Sequence, residues 1–407
     1  MARQAPGMSA RRVLHLPRGF SFSAVRAGIK ESGNLDLALV EAVPGTTAAA
    51  VFTRNRVIAA PVEIGRKHLS AAQGHVRAVI VNSGNANCAT GPSGLRSCLR
   101  VCGETAHLLR LNTQHVFPSS TGIIGVRLPA EKITTKLPEL IAQREASEQA
   151  AVGQFARAIM TTDTRPKLAS TKFRAGRKTV RILGVAKGSG MIHPQLATML
   201  VYLFTDTAAT PAELKRCLRA ACDETFNCIS VDGDTSTNDT VLLMASGESG
   251  VRLSAVKNKF QAALREVCGS LAEQIVADGE GVQHVIRLSV EQAKSRDEAL
   301  DVAQSVARSL LVKTAWAGAD PNWGRILAAI GASGVRIDPN KVTIFIGRQM
   351  VCRSGVACAF NEAEAHAELA RPSCDVRIIL HRGRASAGFL TTDLTAEYVR
   401  INADYST

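Results

Sequence analysis

The chain has 407 residues, 46% hydrophobic and 21% charged, enough for a large core and typical of a globular protein with no run long enough to span a membrane. Aromatic residues are only 4%, which argues against a base-stacking surface for single-stranded nucleic acid. The net charge of +14 is weighted to the start, where Arg3, Arg11, Arg12, Arg18, Arg26 and Lys30 precede the first acid, Glu31; the remainder forms no block of like charge, so nucleic acid is not an expected partner.

That basic, acid-free start reads as a tail over residues 1–15, either a short mitochondrial transit segment or a disordered extension on a bacterial enzyme. It lacks the apolar stretch of a secretory signal, so a cytoplasmic protein is expected, with the mitochondrial matrix as the alternative. The ten cysteines include no Cys-x-x-Cys pair and no zinc set. They read as reduced, buried thiols, with neither a metal nor a disulfide framework expected.

In chain order, the first strand-like runs are Leu37–Ala42 and Val76–Asn82, the second ending in Asn82-Ser83-Gly84-Asn85-Ala86-Asn87. A helix is expected over Leu95–Leu111 with Ser93 as its cap. Ser119-Ser120-Thr121-Gly122-Ile123-Ile124-Gly125 reads as a turn, whose backbone N–H groups either point outward at an oxyanion or merely reverse the chain. A strand over Thr179–Ala186 leads into Lys187-Gly188-Ser189-Gly190-Met191-Ile192-His193-Pro194-Gln195-Leu196-Ala197-Thr198, and another follows over Met199–Thr205. Thr198 therefore stands where a glycine-rich loop enters a buried strand, a good place to fix a nucleophile. If the chain is cut before it, its hydroxyl gains a base in the freed α-amine, whose unperturbed pKa is about 7.7–8.0. The plain alternative is a Gly-Pro loop feeding a core strand.

Further on, Thr210-Pro211-Ala212-Glu213 opens a helix to about Phe226, with a cap, a proline at the first position and a glutamate at the third. Asp232-Gly233-Asp234-Thr235-Ser236-Thr237-Asn238-Asp239 lacks the glycine and closing glutamate of a calcium loop. Strands are expected at Thr240–Ser246, His284–Val290, Val342–Gly347 and Asp375–Leu380, and helices from Ser254 to before Gly279 and over Asp297–Ala315. Asp320-Pro321-Asn322-Trp323-Gly324-Arg325 starts a helix. No Gly-Lys-Ser/Thr phosphate loop, Gly-x-Ser-x-Gly elbow or His-Glu-x-x-His motif occurs. The class is α/β with irregular alternation and no domain boundary visible in composition.

Taken together, these segments resemble the ornithine acetyltransferase (glutamate N-acetyltransferase) family, self-cleaving enzymes of cyclic arginine biosynthesis. The likeness runs from about Leu16 to Thr407 and rests on Ala27-Gly28-Ile29-Lys30, Asn82–Gly91, Ser120–Gly125, Thr161-Thr162-Asp163-Thr164, Lys187–Leu200, Asp232–Thr240, Asp278-Gly279-Glu280-Gly281, Lys313-Thr314-Ala315, Asp320–Arg325 and Tyr398–Thr407. Gln195 and Leu196 depart from the family's usual asparagine and methionine, and Thr392 from its usual cysteine.

The resemblance implies a mixed α/β sandwich cut between Ala197 and Thr198 into an α chain, 16–197, and a β chain, 198–407. Two of each would form a heterotetramer. It implies Thr198 as nucleophile, Thr121 and Gly122 as the oxyanion hole, and Thr164, Lys187, Thr198, Glu280, Asn402 and Thr407 as substrate-binding residues. The substrates implied are N-acetylornithine and glutamate, with no cofactor; whether acetyl-CoA is a second donor stays open. Two alternatives are a self-cleaving aminopeptidase or amidase and a non-enzymatic binding protein.

Overall fold

Leu200–Thr205, Thr240–Ala245 and residues 182–186 of the strand Lys178–Lys187 are nearly unbroken apolar runs because each is covered on both faces. Leu183, Val185, Tyr202, Phe204 and Leu242 point one way, into a cluster with Phe22, Val40 and Val79. Ile182, Val201, Leu203 and Val241 point the other way, against Leu214 and Leu218 of the helix Pro211–Glu224 and Phe260 and Leu264 of the helix Lys257–Val276. The computed structural model describes residues 13–146, 148–193 and 199–404.

These strands belong to a five-stranded sheet ordered Thr47–Phe52, Thr240–Ala245, Leu200–Thr205, Lys178–Lys187, Lys167–Ala175. A second five-stranded sheet is ordered Val116–Ile123, Ala78–Asn85, Leu37–Ala42, Phe20–Val25, Glu145–Ala146. Its far face packs Leu37, Leu39 and Ile80 against the helices Ala60–Ala71, Gly91–Leu109 and Ala130–Ala142. Two sheets stacked between two helical layers make the mixed α/β sandwich that the family resemblance implies. A six-stranded sheet, from Val356–Ala357 at one edge to Ala385–Thr392 at the other, has its own core around Trp316, Ile330 and Leu369.

All eight expected strand runs are strands. Thr210 caps its helix through a complete capping box, and Asn322 caps the helix Trp323–Gly331. Elsewhere the structure corrects the sequence reading. The helix expected at Leu95 begins at Gly91, with Thr90 rather than Ser93 at its cap position. Ser254 lies in a short 3₁₀ turn, and the α-helix starts at Lys257. The single helix expected over Asp297–Ala315 is two, Arg296–Arg308 and Leu310–Ala317, because Ser309 leaves helical geometry to cap the second. Ser119–Ile123 is not a turn but the end of a strand paired in parallel with Ala78–Asn85. No helix among the described residues is long and apolar enough to cross a membrane.

Candidate active site

The two strands that end in small polar residues meet at one end of the sandwich. Their parallel register runs from Ala78 opposite Val116 to Gly84 opposite Gly122, where a bulge sets Asn85 against both Thr121 and Ile123. Gly122 has φ +130°, and a Cβ there would lie 2.3 Å from the carbonyl carbon of Gly84. Only glycine lets the backbones come this close. Asn238 fastens the junction: its Nδ2 donates to the carbonyls of Ala86 at 2.7 Å and Ser120 at 2.9 Å.

The facing wall carries Lys187, 3% exposed at the end of its strand. Its Nζ donates to Thr161 Oγ1 at 2.8 Å and Thr121 Oγ1 at 3.3 Å, and lies 3.9 Å from Asp163 Oδ2. By accepting from Lys187, Thr121 keeps its own O–H available to donate elsewhere. Burial pushes the Lys187 ammonium below its ordinary value; Asp163 pulls the other way and Lys167 adds to the depression.

Beneath this wall lies a buried brace. Lys167, fully buried, sits 2.6 Å from Asp163 Oδ1 and 2.6 Å from Asp278 Oδ2. Gly188 N–H donates to Asp163 Oδ1 at 2.7 Å, Ser189 Oγ to the Asp278 carbonyl at 2.6 Å, and Glu280 N–H to the Ser189 carbonyl at 3.1 Å. The loops at 161–164, 188–190 and 278–281 are thereby locked together. A Cβ on Gly190 would meet the Glu280 carboxylate, so a side chain there would push Glu280 out of its place. Asn402, on the helix Ala396–Asp404, donates from Nδ2 to Glu280 Oε2 at 2.9 Å.

Burial works to raise the Asp163 carboxyl, but Lys187, Lys167 and the Gly188 N–H outweigh it and hold the group at about 2. Because that lies below the unfolded value near 3.8, its contribution to stability is present above pH ~3.8 and lost as pH falls through about 2. The expected size is about 2 kcal/mol. Urea unfolding between pH 5 and pH 2 should therefore show the stability gap between wild type and Asp163→Asn narrowing as pH drops. A gap that stays constant would remove the brace from this role.

The cavity, of about 80 Å³, is lined by Thr121, Gly122, Thr161, Lys187, Glu280 and Asn402, with Thr162, Met191 and Ser236–Asn238 around them. A larger cleft of about 1030 Å³ beside the edge strand Thr47–Phe52 contains none of the expected site residues. Five residues expected from the sequence thus meet in one place: Thr121, Gly122, Lys187, Glu280 and Asn402. Thr164 does not line the cavity; it is exposed, and its hydroxyl and N–H both donate to the Asp278 carboxylate. Thr198 and Thr407 lie outside the described residues. Sequence reasoning missed Thr161, Asn238 and the Asp163–Lys167–Asp278 brace, although all but Lys167 fall within motifs it had singled out.

A glycine junction and a hydroxyl on one wall, with a buried amine and a carboxylate on the other, suit acyl transfer between two amino acids inside an α/β sandwich. Comparison with known proteins agrees: the ArgJ family model matches residues 21–407, and the chain belongs to that family. The arginine biosynthesis bifunctional protein of Neisseria meningitidis serogroup A is 45% identical over 395 residues, covering 95% of each chain. Its counterpart in Methylococcus capsulatus is 44% identical over 395 residues, covering 96% of this chain and 95% of its own. The solved ornithine acetyltransferase of Mycobacterium tuberculosis, complexed with ornithine, is 36% identical with a TM-score of 0.39, over 45% of this chain and 94% of its own.

Proposed function

We propose that this chain moves the acetyl group of N2-acetylornithine to glutamate, releasing ornithine and N-acetylglutamate, through an acetyl ester on Thr198. The observation that carries the reading is the convergence of Thr121, Gly122, Lys187, Glu280 and Asn402 on one cavity, in a chain whose relatives are bifunctional proteins of arginine biosynthesis.

The chemistry starts with maturation. The Thr198 hydroxyl attacks the carbonyl of Ala197, the peptide C–N bond breaks, and water opens the resulting ester to give residues 1–197 and 198–407. The freed α-amine then takes the hydroxyl proton as Thr198 attacks the acetyl carbonyl of N-acetylornithine. Thr121 O–H and the Gly122 backbone hold the oxyanion, each donor contributing roughly 2.7–4 kcal/mol to the barrier reduction. The C–N bond breaks, ornithine leaves with the proton on its amine, and the α-amine of glutamate attacks the ester to collect the acetyl group. Lys187 suits a substrate carboxylate and Glu280, steadied by Asn402, a substrate ammonium.

The relatives are named as bifunctional proteins, and the second activity proposed for this chain is acetyl transfer from acetyl-CoA to glutamate through the same Thr198. The mature form is read as a heterotetramer of two α and two β chains in the cytoplasm. Incubation with N-acetylornithine and glutamate tests the main reading. N-acetylglutamate is the expected product; acetate alone would make the protein an amidase of the same mechanism.

A further inference from the structure

One loop, residues 230–240, takes up the backbone polar groups on both sides of residues 193–198. Upstream, Val231 N–H and the Ser230 hydroxyl donate to the carbonyl of Ile192 at 2.8 and 3.0 Å. The Asp232 carboxylate accepts the N–H of Ile192 at 2.9 Å and that of Met191. Downstream, Asp239 Oδ1 accepts the N–H of Met199 at 2.9 Å, and Thr240 N–H donates to the Met199 carbonyl at 3.1 Å. Both flanks of the segment are thus gripped by one stretch of chain, which Asn238 keys to the ends of the two oxyanion-hole strands.

The grip has features that ordinary loop packing does not require. Met191 is held at φ +57°, a left-handed conformation unfavourable for a side-chain-bearing residue, and its N–H goes to Asp232. Asp239 is 1% exposed, and its second oxygen, Oδ2, is buried without a hydrogen-bond partner among the described residues. Burial pushes this carboxyl well above the ordinary range, against the opposing pull of the Met199 N–H, Lys187 and the nearby Ser236 and Thr53 side chains. Oδ1 serves the Met199 N–H as a hydrogen-bond acceptor whether or not the carboxyl carries a charge.

We infer that Asp232 and Asp239 are positioning residues for self-cleavage and turnover, clamping the two flanks of the segment that contains the Ala197–Thr198 bond. This rests on the reading of Thr198 as the nucleophile. Asp239 holds the N–H of Met199, the residue next to Thr198 in the chain, and it keeps that hold after the cut, because Met199 stays bonded to Thr198. Asp232 fixes the upstream flank, which remains with the α chain and contributes Met191 to the cavity wall. The two aspartates therefore act on different steps. Asp239 governs how the nucleophile is aimed, and Asp232 governs the approach of the scissile bond and the shape of the substrate site.

The test uses the full chain and the variants Asp239→Ala, Asp239→Asn and Asp232→Ala, with thermal unfolding checked for each. Cleavage is timed on denaturing gels, and transfer is assayed once cleavage is complete. Asp239→Ala should slow cleavage about 10–100-fold, since it strands a buried N–H, and lower kcat by a similar factor with KM unchanged. Asp239→Asn keeps an oxygen that can accept the Met199 N–H and should restore most of both rates. Asp232→Ala should slow cleavage and, in cut material, raise KM more than it lowers kcat. Wild-type cleavage and kcat in folded Asp239→Ala would overturn the clamp, and so would an Asp239→Asn variant as impaired as the alanine. If Asp239→Ala fails to fold, the asparagine variant and Asp232→Ala decide the matter by the same readouts. A wild type that stays uncut would instead refute the reading of Thr198, which keeps the two failures apart.

Discussion

Thr198→Ala should persist as one 43.2 kDa chain and transfer no acetyl group, whereas wild type separates into residues 1–197 and 198–407. In the proposed mechanism one hydroxyl serves both reactions. It attacks the Ala197 carbonyl in the precursor and the acetyl carbonyl in the mature enzyme, so removing it should abolish processing and turnover together. Thr198→Ser keeps a hydroxyl and should still be cut. Denaturing gels and the product assay check the result. A wild type that is fully active and uncut would end the proposal.

Thr121→Ala should lower kcat about 10²–10³-fold with KM nearly unchanged, because an oxyanion donor strengthens in the transition state and contributes little to ground-state binding. The geometry supports this separation. Lys187, the residue assigned to a substrate carboxylate, loses its 3.3 Å contact with Thr121 but keeps the 2.8 Å one with Thr161. Substrate binding should therefore survive while the chemistry slows. Self-cleavage passes through an oxyanion of its own, so the assay must use chains already cut. Gly122→Ala is the harsher change, because the new Cβ meets the Gly84 backbone and the junction of the two strands must move. A mature Thr121→Ala enzyme altered only in KM would return this strand end to a structural role.

The sandwich was implied only by the family resemblance, whereas individual strands were legible wherever burial on both faces leaves a continuous apolar run, as in Leu200–Thr205 and Thr240–Ala245. Strands that answer to other demands were not. Thr47–Phe52 is rich in alanine, and Lys167–Ala175 is an edge strand with charged residues along it. Val116–Ile123 ends in small polar residues and glycine, of which Thr121 and Gly122 line the cavity, so the site interrupts the strand pattern and the segment reads as a turn. The site was legible through motifs in the right order, and five of its residues converge. What motifs could not reveal is which threonine of Thr161–Thr164 faces inward. That choice is made by Asp278, which takes Thr164 and Lys167 from more than a hundred residues away. Contacts of that kind leave no periodic trace in the chain.

The most direct test of the central claim is the intact mass of wild-type protein quenched rapidly after mixing with N-acetylornithine and no glutamate. The account predicts two chains, one of them residues 198–407 heavier by a single acetyl group, with fragmentation placing that group on Thr198 and glutamate removing it. An unmodified downstream chain that still makes N-acetylglutamate, or an acetyl group on any other residue, would contradict it.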